Sequence, residues 1–114
     1  MKKIISILGS TGSIGITTLS IIDKKRNEFK PYLFSANKNY KLICQQIKKY
    51  NPEFFVISEK KIFKKVQQKY KNKKIKIINN FNSLNLNKKS EFTISAIPGI
   101  AGLFPLLQMI KFSK

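Results

Sequence analysis

The feature that most constrains this chain is a short apolar strand that runs straight into a glycine-rich turn. Residues 3–15 read Lys-Ile-Ile-Ser-Ile-Leu-Gly-Ser-Thr-Gly-Ser-Ile-Gly, and apolar residues at helical spacing follow. A strand, turn and helix in this order direct free backbone N–H groups and the positive end of a helix dipole at one point, which favours a phosphate group. The segment therefore predicts a binding site for the pyrophosphate of a dinucleotide, with a purely structural turn as the alternative.

The three glycines of this turn have separate predicted roles. Gly9 allows a tight turn out of the strand, Gly12 lets a pyrophosphate approach the backbone, and Gly15 permits close packing of the helix on the strand. Additional candidate donors to phosphate oxygens are the hydroxyl groups of Ser10, Thr11 and Ser13. The G-x-x-G-x-x-G spacing lacks the Gly-Lys-Ser/Thr ending of nucleoside triphosphatases, so hydrolysis of nucleoside triphosphates is not expected.

Length and composition favour one globular domain with a large positive charge. The 114 residues are 42% hydrophobic, which suffices for a single core. The net charge of +18 would attract nucleic acid or an anionic membrane surface. However, almost all the basic residues are lysine, whose codons, like those of isoleucine and asparagine, are rich in A and T. Base composition therefore explains much of the excess, and we predict neither nucleic acid nor membrane as the partner.

Apolar runs and helical patterns alternate along the chain, which is typical of β-α-β units and a parallel sheet. Strands are predicted at about 3–8, 32–36, 54–58, 74–78 and 92–97. Helices are predicted at about 14–25, 40–50, 60–70 and 103–111. The predicted fold class is α/β, a Rossmann-like doubly wound parallel sheet of about five strands with helices on both faces. A ligand is expected where the order of the strands reverses. Residues 92–110 are uncharged, but their two prolines argue against a membrane span.

The segment after the second predicted strand indicates which dinucleotide would bind. Residues 35–39 read Ser-Ala-Asn-Lys-Asn, without the acid that holds the ribose 2′-hydroxyl group of NAD(H). Lys38 offers a cation to the 2′-phosphate of NADP(H), while Asn37, Asn39 and Ser35 offer neutral hydrogen bonds. A carboxylate in this place would repel that phosphate. The residues therefore favour NADPH, and a polar loop with an incidental lysine is the alternative.

Three segments together resemble the 1-deoxy-D-xylulose 5-phosphate reductoisomerase family. They are the glycine turn at 7–15, the loop at 35–39 and residues 95–103, which read Ser-Ala-Ile-Pro-Gly-Ile-Ala-Gly-Leu. They occur in the family's order and at similar separations, so the resemblance spans nearly the whole chain. It covers only the amino-terminal domain of the family, and it implies that residues 1–114 form an NADPH-binding Rossmann-like domain.

The resemblance also implies which residues contact the cofactor. The pyrophosphate region would lie against the turn that Gly9 opens and would contact Thr11, Gly12, Ser13 and Ile14. The adenosine 2′-phosphate would be surrounded by Asn37, Lys38 and Asn39. The turn from Ala96 to Gly99 would lie along the cofactor towards the nicotinamide. Pro98 departs from the small apolar residue that is usual there, and proline removes a backbone donor.

The chemistry of the family needs groups that this sequence does not cluster. Its members isomerise 1-deoxy-D-xylulose 5-phosphate and reduce it with NADPH to 2-C-methyl-D-erythritol 4-phosphate, for the non-mevalonate isoprenoid pathway, using Mg²⁺ or Mn²⁺ held by carboxylates. The five acids here are scattered: Asp23, Glu28, Glu53, Glu59 and Glu91. None is spaced as a metal site or an acid–base pair. We predict no catalytic and no metal-binding residue, and we expect a truncated, split or degenerate chain that is inactive alone.

The sequence also supports expectations about the cellular compartment and the partners of the protein. Cys44 is the only cysteine, which fits a reducing compartment and predicts a cytoplasmic protein. Full-length family members are commonly homodimers, and the substrate would bind only if the missing domains were supplied.

Two alternative functions remain open. One alternative is a non-enzymatic dinucleotide-binding module or degenerate remnant. The other, ranked behind it, is a basic protein whose binding to nucleic acid or membranes depends steeply on salt.

Overall fold

The computed structural model of the protein describes residues 3–80 and 92–95. Strands and helices alternate within them: β1 (Lys3–Leu8), α1 (Ser13–Asp23), β2 (Phe29–Ala36), α2 (Tyr40–Tyr50), β3 (Phe54–Ile57), α3 (Lys60–Lys69), β4 (Lys76–Ile78) and β5 (Phe92–Ser95). The predicted alternation is confirmed over the described residues. The predicted helix at 103–111 lies outside them.

The start of β2 is where the sequence prediction differs most from the structure. The strand begins at Phe29 rather than near residue 32, and it contains Pro31. Pro31 pairs with Ile5 of β1, and the register shifts between Ile5 and Ser6. Proline cannot donate to a strand ladder, so it is accommodated at such an irregularity. The apolar pattern predicts that β2 starts after the proline, because such a pattern cannot reveal a bulge.

The five described strands form one parallel sheet in the order β4-β3-β2-β1-β5. From β1, the chain steps to β2, β3 and β4 on one side, whereas β5 pairs with β1 on the other. The strand order therefore reverses beside β1, which confirms a doubly wound sheet. Ligands of such sheets bind outside the carboxyl ends of the strands at this reversal. The glycine turn, which follows β1 directly, lies there.

All three described helices pack on one face of the sheet. Their buried apolar side chains join those of β1, β2 and β3 in one core cluster, which includes Leu19, Ile22, Ile43, Ile47, Val66, Ile7, Phe34 and Phe55. Right-handed connections between strands that step in one direction place each helix on the same face. A smaller cluster around Leu8, Leu33 and Val56 lies on the other face. The prediction of helices on this second face concerns residues that lie outside the described ranges.

The first turn of α1 packs directly against Gly9 and Ser10. A Cβ atom on Gly15 would overlap the carbonyl oxygen of Gly9 and would lie 2.7 Å from the Cα atom of Ser10. Both are backbone atoms, so neither can rotate away as a side chain would. The predicted role of Gly15 in close packing is thereby confirmed.

A polar cluster joins the carboxyl ends of α1 and α2. The Tyr50 hydroxyl donates to Asp23 Oδ2 at 2.8 Å, and Lys49 Nζ lies 2.9 Å from the same oxygen. The Arg26 guanidinium lies 3.6 Å from Asp23 Oδ1 and 5.0 Å from the centre of the Tyr50 ring. The hydrogen bond from Lys49 is the largest cause that lowers the pKa of Asp23 below its ordinary value. The charged carboxylate therefore stabilises the fold.

Gly15→Ala should destabilise the protein. Helix propensity alone would have the opposite effect and raise the free energy of unfolding by up to about 1 kcal/mol. We expect the free energy of unfolding to fall by about 1–3 kcal/mol, because α1 must move to relieve the overlap. Urea unfolding measures the change. Ser20→Ala, at an exposed position of the same helix, is the control and should be neutral or slightly stabilising. A Gly15→Ala protein as stable as the wild type would contradict the packing argument.

Asp23→Asn should reduce the free energy of unfolding at neutral pH by roughly 1 kcal/mol or less, since solvent screens this partly exposed cluster. The folded-state pKa of Asp23 is lowered. Its contribution is therefore complete above the ordinary carboxyl pKa and is lost as the pH falls through the lowered value. Urea unfolding of both proteins at neutral and acidic pH should show the difference shrinking in acid.

The control for the Asp23→Asn measurement is Glu28→Gln. The ion pair of Glu28 with Lys25 spans 3.9 Å, and the two side chains are 64% and 59% exposed. Such a pair contributes little to stability, so this variant should unfold like the wild type at every pH. Equal losses in the two variants would show that Asp23 contributes no more than an ordinary surface charge.

Candidate dinucleotide-binding site

The glycine turn is anchored to the end of β2. Gly9 has a φ of 82°, a left-handed conformation that glycine adopts at low cost. The backbone N–H groups of Gly9 and Ser10 both donate to the carbonyl oxygen of Ser35, at 3.0 and 2.8 Å. The Ser35 hydroxyl oxygen also accepts from the Gly9 N–H at 3.0 Å. This side chain is buried and holds the turn, which differs from the prediction that it bonds to the cofactor. These contacts confirm that Gly9 makes the tight turn, and they fix its position on the sheet.

The amino end of α1 presents backbone donors without an acidic group to occupy them. Gly12 is the N-cap and provides no side-chain cap, and the first turn of the helix contains no acid. The first intrahelical hydrogen bond runs from the Ile16 N–H to the Gly12 carbonyl oxygen at 2.9 Å. The N–H groups of Ser13, Ile14 and Gly15 precede this bond and have no acceptor within the helix. Together with the helix dipole, they favour an anion.

The prediction that the Ser10 hydroxyl donates to a phosphate is wrong. Ser10 is 0% exposed, and its hydroxyl donates to Gln46 Oε1 of α2 at 2.7 Å. Gln46 Nε2 in turn donates to the Ser10 carbonyl oxygen at 2.8 Å. The serine therefore faces the protein interior. Thr11 is half-buried, while Gly12, Ser13 and Ile14 are exposed.

The loop after β2 places its cation in solvent and its two amides in hydrogen bonds. Asn37, Lys38 and Asn39 are all exposed. Asn39 Oδ1 accepts from the Leu42 N–H at 3.2 Å and caps α2, and Asn37 Oδ1 accepts from the Ser58 hydroxyl at 2.9 Å. The amide NH₂ groups are then oriented away from these partners as donors. Within residues 3–80, no carboxylate forms an ion pair with Lys38.

Sequence reasoning missed a carboxylate that lies beside this loop. The Glu59 N–H donates to the Asn37 carbonyl oxygen at 3.3 Å, which brings the residue next to the predicted 2′-phosphate position. Its carboxylate, however, accepts from the Lys61 N–H at 3.0 Å and caps α3. The positive end of that helix dipole offsets the negative charge. The loop therefore keeps a cationic character.

The ends of three strands converge at the turn. Leu8, the last residue of β1, pairs with Ser35 of β2 and with Ser95 of β5. Parallel strands end at one edge of the sheet, so the loop at 37–39 leaves from the same edge as the glycine turn. Ala96 and Gly99, which the family resemblance assigns to the cofactor, lie outside the described residues.

Among the described residues, neither a metal site nor a membrane-spanning helix is found. Over residues 3–80 and 92–95, no three His, Cys, Asp or Glu side chains come together as metal ligands would. In the same part of the chain, no helix has the length and apolar character that crossing a membrane needs. That this chain has no catalytic and no metal-binding residue stays a prediction.

Comparison with known sequences identifies a family. The family model described as 1-deoxy-D-xylulose 5-phosphate reductoisomerase matches residues 5–114. Curated relatives with that name come from Pelagibacter ubique, 42% identical over 118 residues, and Clostridium novyi, 38% identical over 117. The alignments cover 100% and 98% of this chain but 30% of each relative. The chain therefore spans less than a third of the length of these relatives.

Solved structures share the fold. The 1-deoxy-D-xylulose 5-phosphate reductoisomerase from Zymomonas mobilis in complex with NADPH has a TM-score of 0.84 at 23% identity, over 97% of this chain and 30% of that one. A DOX-P reductoisomerase in complex with NADPH, fosmidomycin and magnesium has a TM-score of 0.82 at 22% identity, over 93% of this chain and 27% of that one. With its doubly wound sheet, its glycine turn and a family model that matches from residue 5 to residue 114, this chain belongs to the 1-deoxy-D-xylulose 5-phosphate reductoisomerase family.

Proposed function

We propose that this chain binds NADPH and forms the cofactor-binding part of a 1-deoxy-D-xylulose 5-phosphate reductoisomerase. The observation that carries the proposal is the free donor set at the amino end of α1. It lies at the reversal of strand order, and no acid in its first turn competes with a ligand. Support also comes from the solved relatives of the same fold that contain NADPH.

In the proposed complex, the turn holds the pyrophosphate by its backbone. Gly12 brings the chain close to the ligand, and the N–H groups of Ser13 and Ile14 donate to phosphate oxygens. The hydroxyl groups of Thr11 and Ser13 are further donors. Because these donors are fixed before the ligand arrives, binding requires little ordering of the protein.

The loop at 37–39 would select the cofactor. The Lys38 ammonium group is a compact charge on a flexible stem, able to follow the 2′-phosphate. The amide donors of Asn37 and Asn39 lie on either side of it in sequence, and their oxygens already have partners. NADH has only a hydroxyl group at this place and would leave the lysine without its counter-charge.

The bound NADPH supplies the hydride for the reduction, and this chain's residues bind and orient it. The described residues do not fit the Mg²⁺ or Mn²⁺ of the family, because their carboxylates are dispersed among ion pairs and helix caps. We therefore assign no catalytic residue here. In the proposed enzyme, the substrate site, the metal site and dimerisation would depend on residues that full-length members of the family contain. We propose that this enzyme is cytoplasmic.

The 114-residue chain should bind NADPH at least about tenfold more tightly than NADH, which is the scale of one charge-assisted hydrogen bond. Lys38→Glu should abolish this preference, since a carboxylate repels the 2′-phosphate. Fluorescence titration with both cofactors measures the two affinities. Lys48→Glu makes the same charge change at an exposed position on α2, and it should retain the preference. Equal affinities in the wild type would count against the 2′-phosphate assignment.

The purified chain alone should not turn over 1-deoxy-D-xylulose 5-phosphate, since no acidic cluster that could hold the metal forms within residues 3–80 and 92–95. An assay of NADPH oxidation with substrate and Mg²⁺ measures this, with a full-length reductoisomerase as the positive control. Binding of NADPH by the same preparation shows that the protein is folded and loaded. Substrate-dependent oxidation above the blank would refute the division between cofactor-binding and catalytic parts.

A further inference from the structure

We propose that Gln46 of α2 is a positioning residue that orients the glycine turn towards the pyrophosphate of its cofactor. The inference rests on the proposed function, because it concerns the same site. Gln46 does not belong to the glycine motif or to the loop at 37–39, and it would not touch the cofactor. Its influence passes through one peptide group of the turn, between Ser10 and Thr11.

The contact between Gln46 and Ser10 is buried and reciprocal. The two residues are 5% and 0% exposed. The Ser10 hydroxyl donates to Gln46 Oε1 at 2.7 Å, and Gln46 Nε2 donates to the Ser10 carbonyl oxygen at 2.8 Å. A carbonyl oxygen can only accept, so the orientation of the Gln46 amide is determined by its partner. The side chain thus binds the backbone and the side chain of one residue.

This contact decides where the next backbone donor points. Across a trans peptide group, the C=O and the following N–H point in opposite directions, and the described chain contains no cis peptide bond. Because Gln46 holds the Ser10 C=O towards α2, the Thr11 N–H must point away from α2. This N–H has no hydrogen-bond acceptor among the described residues. It therefore joins the N–H groups of Ser13 and Ile14 as a donor available to an anion.

The anchor on β2 cannot replace this function. Ser35 accepts from the N–H groups of Gly9 and Ser10, so it fixes the peptide groups on the strand side of the turn. Without Gln46, the peptide group after Ser10 loses the one hydrogen-bond partner that its carbonyl oxygen has among the described residues. It can then rotate, since the buried carbonyl oxygen must find another donor. The sheet and the apolar core would remain, because neither depends on this amide.

The test compares Gln46→Met with Gln45→Met in the 114-residue chain. Methionine has a similar volume and removes both hydrogen bonds, and Gln45 is the exposed neighbour on the same helix. Calorimetric titration with NADPH should show an affinity loss of about tenfold or more for Gln46→Met and none for Gln45→Met. Titration with 2′-AMP, which has the 2′-phosphate but no pyrophosphate, should give unchanged affinity in both variants.

The outcomes separate the inference from the proposed function. Failure of the wild-type chain to bind NADPH would overturn both. Wild-type binding with no selective loss in Gln46→Met would overturn the inference alone. A parallel loss of NADPH and 2′-AMP affinity would also overturn it, since general damage to α2 would disturb the loop at 37–39 as well.

A second variant keeps the inference testable if Gln46→Met does not fold. Gln46→Glu preserves the shape, and only its protonated carboxyl group can donate to the Ser10 carbonyl oxygen. Burial favours that neutral form by raising the pKa of the introduced carboxyl. Its NADPH affinity, expressed relative to the wild type at each pH, should recover as the pH falls, while its 2′-AMP affinity should follow the wild type throughout. The titrations extend from alkaline to acidic pH. A ratio that stays low in acid, or one that stays at unity even in alkaline solution, would overturn the positioning role.

Discussion

The structure depends on the approach of the α1 backbone to the turn that precedes it. Gly15 lies so close to Gly9 and Ser10 that a side chain at this position would overlap backbone atoms. That approach brings the unpaired N–H groups of the helix beside the end of β1, where the strand order reverses. If an added methyl group pushed α1 away, the helix would still cover the sheet. Its N–H donors, however, would move away from the carboxyl end of β1. The site is thus a consequence of packing.

Some polar groups around the glycine turn face the protein interior, and others face the proposed cofactor site. Ser10, Ser35 and Gln46 are buried and bond to one another or to the turn backbone. Ser35 accepts from the Gly9 and Ser10 N–H groups, and Gln46 donates to the Ser10 carbonyl oxygen, so three peptide groups are each held in one orientation. On the opposite side of the last of them, the Thr11 N–H is left for a ligand. Buried polar groups are costly unless they are satisfied, so the interior network fixes the turn in a single arrangement.

Local patterns predicted most of the fold and the exposed part of the site, but they did not predict the interior network. β1 and α2 begin and end where their apolar patterns indicate, whereas Pro31 concealed the early start of β2. The role of Ser10 was misjudged because its partner, Gln46, is distant in sequence. A signal was available in the sequence. A glutamine on the helix face that carries Ile43 and Ile47 is a polar residue in an apolar environment, and such a residue needs a buried partner.

Net charge and cofactor selectivity are separate properties of this chain. The charge of +18 raises the local concentration of any anion, and NADPH and NADH both benefit through their shared pyrophosphate. Charges in solution are screened beyond about 8 Å at physiological ionic strength, so most lysines act too far away to sense one additional phosphate group. In the proposed complex, discrimination between the cofactors would therefore come from a cation at the end of β2. We propose Lys38 for this role because of its position, whatever the genomic origin of the other lysines.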